Sequence, residues 1–218
     1  LPEWVDEINP KTGLPVGVDK GWGAGLGTLT ENAALIQHLA RQTQQWEYVL
    51  AKAYMASVPV IVADQLAVAY RNLPGVAQDA GAYARKALDG AEVTPVKTLG
   101  LLTSADAGLI QQLTGIDVTG FDYSMDLFGV KHTNSHHGQA VTDSEQSRGQ
   151  RAVKASDYAR FPSVLNEYDK MEYAGKSRIT KRDLVRIRKT IEGEEYVLVL
   201  EVRTGRKTLA LETAYIIT

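Results

Sequence analysis

Two short glycine turns near the carboxyl end constrain the fold of this chain more than any other feature. Glu192-Gly193-Glu194 and Thr204-Gly205-Arg206 separate three segments rich in branched aliphatic residues, over about 184–190, 195–203 and 207–216. Glycine tolerates the positive φ that tight turns need, so each turn predicts a β-hairpin. With a further strand expected over about 170–175, the sequence predicts an antiparallel meander that ends the chain.

Helices are expected to precede this meander and to pack on one of its faces, which is the pattern of an α+β fold with a small antiparallel sheet. Capping residues and apolar spacing predict where they lie. The expected helices are 28–57 (capped by Thr28 with Glu31), 60–71, 75–88, 105–114 (Ser104), 124–138 (Ser124) and 157–168 (Ser156). A strand is expected over 96–102, and Leu127, Phe128 and Val130 are expected to point inward.

Composition divides the chain into three parts. Residues 1–28 are dense in Gly and Pro and carry the isolated Trp4 and Trp22, which predicts an extended arm docked on a partner or on the chain's own helices. A helical segment over 29–91 follows, and residues 92–218 hold the expected α+β domain.

Composition and charge exclude several classes of site. The 218 residues include no cysteine, so disulfides and thiolate metal ligands are excluded. No apolar run is long enough to cross a membrane, and no membrane contact is expected. Residues 92–218 hold 17 Lys/Arg and 17 Asp/Glu, a balance that argues against strong RNA affinity through overall charge. Cations are concentrated between residues 176 and 189, which suits either phosphate contact or a solvated hairpin.

The segment Lys131–Gly138 carries the candidate chemistry. It holds three of the chain's four histidines, His132, His136 and His137, at the end of an expected helix. Imidazole titrates near neutrality, so a histidine pair can take up and return a proton. His132 and His137 are five residues apart and would point about 140° apart on a helix. They can share one site only if the helix ends between them; otherwise one of them is structural.

Other interpretations of the cluster remain open. A capped helix end with solvated histidines would have the same sequence. His132 and His136, at i and i+4, would also suit a zinc pair, but a third ligand is not evident, and no metal or other cofactor is expected. His38, on the first expected helix, is interpreted as structural.

Two sets of motifs resemble known families. The first set is His132-x4-His137-Gly138, Glu145-x2-Arg148-Gly149-Gln150, Asp157 and the closing segment 201–213, EVRTGRKTLALET. Together these pieces resemble the phage barnase–EndoU–colicin–RelE-like nuclease domain over about residues 92–218. The second is Pro15-Val16-Gly17-Val18-Asp19-Lys20-Gly21-Trp22, which resembles a segment of phage Mu F-like minor head proteins, although the Gly-rich residues 23–27 depart from the sequence that usually follows there. Such nuclease domains are often fused behind such head proteins.

The nuclease resemblance implies a helix followed by a four-stranded antiparallel sheet, and metal-independent cleavage of RNA. Such cleavage needs a base for the 2′-hydroxyl, an acid for the leaving 5′-oxygen and a cation for the phosphorane. His132 and His137 match the family's paired positions, and Thr213 occupies its terminal Ser/Thr position. Lys189 fits the family pattern better than its neighbour Arg188. These four, His132, His137, Lys189 and Thr213, are the expected catalytic residues, and Arg148, Gln150, Arg188 and Tyr215 are the expected substrate-binding residues.

Several of these assignments have a plainer alternative. Arg148 suits a bidentate contact with phosphate or a loop salt bridge with Glu145. Arg188 and Lys189 are neighbours on a strand and therefore face opposite sides of the sheet, so only one of them can point at the active face. Thr213 and Tyr215 share one strand face, where Thr213 would otherwise be an ordinary half-buried residue.

Three functions are compatible with the sequence. The first is a ribonuclease-like effector domain on a minor head protein, the second a catalytically inactive structural or cargo protein of the phage head or neck, and the third a plain nucleic-acid-binding module. The expected partners are phage head or portal proteins contacted through the arm, RNA as a substrate, and an immunity or inhibitor protein. The expected locations are the virion and the host cytoplasm.

Overall fold

The computed structural model describes residues 59–72, 74–138 and 148–218. The expected arm, the helix ending near residue 57, His38, the head-protein-like segment 15–22 and Glu145 lie outside the described residues. The chain divides into two compact units between Tyr70 and Arg71. A first helix, α1, spans Val60–Arg71, as predicted. No helix in the described residues is long and apolar enough to cross a membrane.

The second unit contains helices and strands that the sequence largely predicts. Its helices are α2 (Pro74–Leu88), α3 (Ser104–Thr114), α4 (Leu127–His137) and α5 (Phe161–Asn166), with short 3-10 helices at Ala155–Arg160 and Thr204–Arg206. Its strands are β1 (Val96–Leu101), β2 (Asp122–Asp126), β3 (Gln150–Arg151), β4 (Lys170–Lys176), β5 (Asp183–Ile191), β6 (Glu194–Arg203) and β7 (Thr208–Ile217).

The strands form one sheet in the order β1-β2-β7-β6-β5-β4, with β3 also paired to β7. The predicted antiparallel meander β4-β5-β6-β7 and the α+β class are confirmed. The four-stranded sheet implied by the family resemblance is too small, because β1, β2 and β3 extend it to seven strands. β2 pairs with β7 in parallel, and all other pairs are antiparallel.

Helix α4 fills a gap along one edge of β7. β2 pairs with residues 208–210 of β7 and β3 with residues 216–217, so no strand among the described residues pairs with the middle of this edge. There the backbone N–H of Ala214 donates to Oγ1 of Thr133 on α4 at 3.0 Å. Gly129 lies so close to β7 that a Cβ would overlap the carbonyl oxygen of Leu211. The helix thus supplies the hydrogen bond that a neighbouring strand would have supplied.

A β-bulge interrupts β7 beside this helix. Thr213 pairs with Val199 of β6, whereas Leu211 pairs with the next residue, Leu200, so Glu212 is an extra residue in β7. A bulge changes the side-chain alternation of a strand. Leu211 and Ala214 therefore both face the core, and Glu212 and Thr213 both face the opposite side.

The two faces of the sheet differ in character. The core face packs against α2, α3, α4 and α5 in one hydrophobic cluster. We call the opposite face the polar face. Its side chains, assigned by strand pairing, are Glu172, Arg186, Arg188, Glu195, Val197, Val199, Glu201, Arg203, Glu212, Thr213, Tyr215 and, on β3, Gln150.

Two predicted helix starts, those of α3 and α4, are wrong because a neighbouring residue takes the capping role. Thr103, not Ser104, caps α3, forming a capping box with Asp106. Ser124 lies within β2, where its hydroxyl meets Oγ1 of Thr208 at 2.7 Å. Asp126 caps α4 instead, accepting from the N–H of Gly129 at 2.9 Å.

Two further predictions are partly wrong: which residues of α4 point inward, and the single helix over 157–168. Val130 is buried, but Leu127 and Phe128 are 37% and 47% exposed. The helix predicted over 157–168 is instead two elements, the 3-10 helix Ala155–Arg160 and α5. Pro162 lies in the first turn of α5, where its missing N–H costs no hydrogen bond. Asp157, rather than Ser156, accepts from the backbone N–H of Lys154 at 2.7 Å.

Helix α2 is part of the core of the sheet. Ala80, Tyr83, Ala84 and Ala87 belong to the same buried cluster as residues of the sheet. The boundary expected at residue 91 therefore runs between two parts of one core.

Candidate functional site

Helix α4 continues through all three histidines. It spans Leu127–His137 without a break and ends at Gly138, whose N–H donates to the carbonyl of Asn134 at 3.0 Å. His132 and His137 therefore point about 140° apart. The condition for a shared histidine site, a helix end between them, is not met.

His132 stacks along the helix with its neighbours. Its ring centroid lies 5.5 Å from that of Phe128 and 4.3 Å from that of His136. The pKa of His132 is lowered, first by partial burial and then by His136 and His137. Nδ1 of His136 lies 2.8 Å from the hydroxyl of Ser135. These contacts hold His132 and His136 in a ring stack on the surface of the helix.

His137 contacts the polar face. Its ring centroid lies 5.4 Å from that of Tyr215, with the planes tilted by 41°. The carbonyl of His137 accepts from the N–H of Val153 at 2.7 Å, which ties the end of α4 to the chain after β3. Of the two histidines that match the family pair, His137 is the one in contact with the sheet residues of the expected site.

The strand register brings four other expected residues to this face. Arg188, Val197 and Tyr215 form one row across β5, β6 and β7, and Gln150 lies in the next row, opposite Ile217. Thr213 lies two residues from Tyr215 on β7. The structure thus brings together residues that are up to 78 positions apart (137 to 215) in the sequence.

Lys189 does not lie on this face, contrary to the expectation that it rather than Arg188 would point at the site. It pairs with Tyr196, a core residue, and so faces the helices. Its Nζ donates to the carbonyl of Glu167 at 2.7 Å and to the Glu167 carboxylate at 3.1 Å. The register of β5 against β6 determines which of Arg188 and Lys189 lies on the polar face, because a shift of one residue would exchange the two faces.

The cations of the polar face are paired with carboxylates. Nη1 of Arg188 donates to both carboxylate oxygens of Glu195 at 3.2 and 3.3 Å, and its Nε donates to Glu172 at 3.3 Å. Arg186 donates to the same Glu172 oxygen at 3.1 Å. Hydrogen bonds from Lys170 and then Arg186 lower the pKa of Glu172 to about 2. Both carboxylates therefore hold the arginines in place and neutralise them.

Several polar atoms on this face are buried without a hydrogen bond. Oγ1 of Thr213 and Oε1 of Gln150 have no hydrogen-bond partner within the part of the chain that the structure describes. A buried polar group that lacks a partner costs about 1–3 kcal/mol, so such atoms are candidates for contact with a ligand.

Two further family-motif residues lie near β3. Arg148 is exposed in the turn before β3, and its alternative partner Glu145 is outside the described residues. Asp157 accepts from both terminal nitrogens of Arg151 at 2.8 and 3.0 Å, and Arg151 also bonds Glu194. Asp157 thereby anchors the 3-10 helix to β3 and β6.

The residues selected from the sequence do not include Arg186, Glu172, Glu195 or Glu212. The alternation Arg186-Ile187-Arg188 is a signal for the first, because period two places both arginines on one face. The three carboxylates carry no comparable local signal, since their positions depend on strand pairing. Among the described residues, no group of three or more His, Cys, Asp or Glu is arranged to hold a metal ion.

Comparison with known proteins agrees with the nuclease resemblance. A family model described as phage-Barnase-EndoU-ColicinE5/D-RelE like nuclease3 matches residues 103–218, just over half of the chain. No curated protein and no solved structure matches the chain. The matched residues begin at the cap of α3 and include α4 and the whole polar face.

Proposed function

This chain belongs to the phage barnase–EndoU–colicin E5/D–RelE-like nuclease family, and we propose that it cleaves RNA by metal-independent transesterification. The observation that carries the proposal is the contact of His137 with Tyr215, on the sheet face that also holds Thr213 and Arg188. A titratable ring, a hydroxyl with no partner among the described residues and a cation thus share one face of the sheet.

Each group has a role in this reaction. His137 transfers a proton, since imidazole can act as acid or base near neutral pH. The hydroxyl of Thr213 donates to a phosphate oxygen. Arg188 stabilises the charge that develops on the phosphorane. The side chain of Arg188 is 27% exposed, so part of it is accessible to a ligand.

The setting of the domain is a second part of the proposal. The segment Pro15–Trp22 resembles minor head proteins. It supports a nuclease domain carried by a phage minor head protein and delivered with the virion to the host cytoplasm. Head or portal proteins would then contact the residues that precede the nuclease domain.

One observation favours the alternative of an inactive structural or cargo domain. Arg186 and Arg188 are already paired with Glu172 and Glu195, so a phosphate must displace a carboxylate to reach them. An inactive domain would keep such pairs for stability alone. Cleavage assays separate the two functions.

The test is incubation of the intact protein with mixed RNA in EDTA. We expect cleavage products that end in a 2′,3′-cyclic phosphate, because the 2′-hydroxyl is the nucleophile. His137→Ala should lower the rate about 10²-fold or more, the usual contribution of a positioned acid or base. Arg188→Met should lower it to a similar degree.

Matched variants serve as controls. Lys189→Met removes a neighbouring cation that faces the helices, and His136→Ala removes the neighbouring imidazole; both should retain most of the activity. A requirement for a divalent metal, or equal losses in Arg188→Met and Lys189→Met, would contradict the proposed site. Absence of cleavage in any RNA would support the structural alternative.

A further inference from the structure

The bulge in β7 places a second titratable group on the polar face. Glu212 is the extra residue opposite the Val199–Leu200 step of β6, and it lies directly beside Thr213. The bulge lies where α4 packs against β7 at Leu211. In a regular strand, Glu212 and Thr213 would face opposite sides of the sheet; here both face the polar side.

Glu212 is half-buried and unpaired. It has no hydrogen bond or ion pair anywhere in the part of the chain that the structure describes, unlike the other polar-face carboxylates. The cation whose charge acts on Glu212, Arg203, is already engaged: Nη1 donates to Asp126 and Nε to Glu201, each at 2.6 Å.

Charged side chains from β6 and from the end of β2 surround Glu212. Glu201 and Arg203 face it from β6, and Asp126 faces it from the end of β2. Glu201 is fully buried and is also bonded by Thr180 and Arg182. Burial first, and then the negative charge of Glu201, raise the pKa of Glu212, while Arg203 opposes the rise. A carboxylate with a raised pKa is a stronger base.

Glu212 and the ring of His137 mark the two ends of residues 212–215 of β7: Glu212 begins this stretch, and His137 of α4 contacts Tyr215 at its end. Glu212 is three residues from Tyr215, at most about 10 Å along a strand at ~3.3 Å per residue, because the bulge shortens this stretch. The ring of His137 lies against Tyr215, and Thr213, whose hydroxyl has no partner among the described residues, lies between Glu212 and Tyr215 along β7. A phosphodiester held at Thr213 would then lie between the two groups, and each would act on it by coming within hydrogen-bond reach, about 3 Å, of the 2′-hydroxyl or the 5′-oxygen.

We propose that Glu212 is the general base of the cleavage and His137 the general acid. This inference rests on the proposed function, and it assigns to Glu212 the role that His132, stacked away from the site, does not fill. The Glu212 carboxylate takes the proton of the 2′-hydroxyl as the 2′-oxygen bonds to phosphorus. The bond from phosphorus to the 5′-oxygen breaks, and the protonated imidazole of His137 gives its proton to that oxygen. The products are a 2′,3′-cyclic phosphate and a 5′-hydroxyl, and exchange with water restores both groups.

The test compares two RNA substrates with the intact protein in EDTA. One has a normal scissile linkage, and the other has sulfur in place of the bridging 5′-oxygen, a leaving group that needs no proton. Glu212→Gln should slow cleavage of both substrates by about 10²-fold or more. His137→Ala should slow cleavage of the oxygen substrate by a similar factor and cleavage of the sulfur substrate by less than about tenfold. Glu167→Gln, a carboxylate on the other face, is the matched control and should cleave both at the wild-type rate.

A pH profile and a binding measurement complete the test. The rate at low pH should rise with deprotonation of Glu212 in the wild type, and Glu212→Gln should lack this rise. Binding of RNA with a 2′-deoxy scissile nucleotide should change less than threefold in Glu212→Gln, which would exclude misfolding as the cause of lost activity. If the wild type cleaves and Glu212→Gln cleaves at a comparable rate, or recovers with the sulfur substrate, this inference is overturned and the proposed function stands. If the wild type cleaves no RNA, both fail.

Discussion

At the scale of single residues, the polar face is organised by carboxylates that the sequence argument did not select. Glu172 accepts from Lys170, Arg186 and Arg188, three cations from two strands. Glu212, on the same face, accepts from none of the described residues. The same residue type therefore has two roles here: Glu172 fixes the arginines, and Glu212 keeps a free carboxylate for proton transfer in the proposed reaction.

The role of Glu172 predicts a specific dependence of stability on pH. Its pKa falls from 4.5 to about 2 on folding, so it stabilises the protein above about pH 4.5, and this contribution disappears as pH falls toward 2. Glu172→Gln should lower the free energy of unfolding at pH 7 by about 1 kcal/mol or less, because the pair is partly exposed. The difference from the wild type should shrink at pH 3, as measured by urea denaturation. Glu192→Gln, with a side chain that is 73% exposed, is the control, and an equal effect there would contradict the prediction.

At the scale of elements, the site depends on how α4 meets β7. The helix occupies the edge of β7 between β2 and β3, satisfies the N–H of Ala214 through Thr133, and ends with His137 against Tyr215. Close approach at Gly129 makes this arrangement possible. A larger residue would move the helix and the histidine that it carries.

Two glycine substitutions test this packing. Gly129→Ala places a Cβ against the carbonyl of Leu211, so it should destabilise the protein by about 1–3 kcal/mol and reduce RNA cleavage. Gly108→Ala lies within α3 with open space around the added Cβ, and it should stabilise by about 0.5–1 kcal/mol through helix propensity. Thermal and urea denaturation measure both changes. Equal effects of the two substitutions would show that helix propensity, rather than contact with β7, sets the result.

At the scale of the molecule, helix α2 and the sheet share one hydrophobic core. Tyr83 is buried there, and its hydroxyl donates to the carbonyl of Thr94 at 2.9 Å. The family model begins at residue 103, whereas the compact unit begins at Arg71. The folding unit is thus longer at its amino end than the segment that carries the family likeness.

Two fragments distinguish these boundaries. A fragment of residues 92–218 lacks α2 and should be less stable than a fragment of residues 71–218 by at least about 3 kcal/mol, the typical cost of removing one large buried side chain. It should also bind the dye ANS through its exposed core. Urea denaturation and dye fluorescence measure the difference. Equal stability of the two fragments would instead support the boundary predicted at residue 91.

The sequence alone determined those parts of the protein that depend on near neighbours. Apolar spacing and glycine turns identified α1, α2 and the four strands of the meander, because helix period, strand alternation and turn geometry are set within a few residues. Motifs of the same kind identified the nuclease family, and they put forward His137, Thr213 and Tyr215 as candidate site residues.

Only the tertiary structure decided which of the candidate residues meet. The parallel pairing of β2 with β7, the bulge at Glu212 and the position of α4 join segments far apart in the sequence. Strand register then placed Arg188, not Lys189, on the polar face, and the unbroken helix separated His132 from His137. Pairing between distant strands is set by packing of the whole core, and no local pattern specifies it.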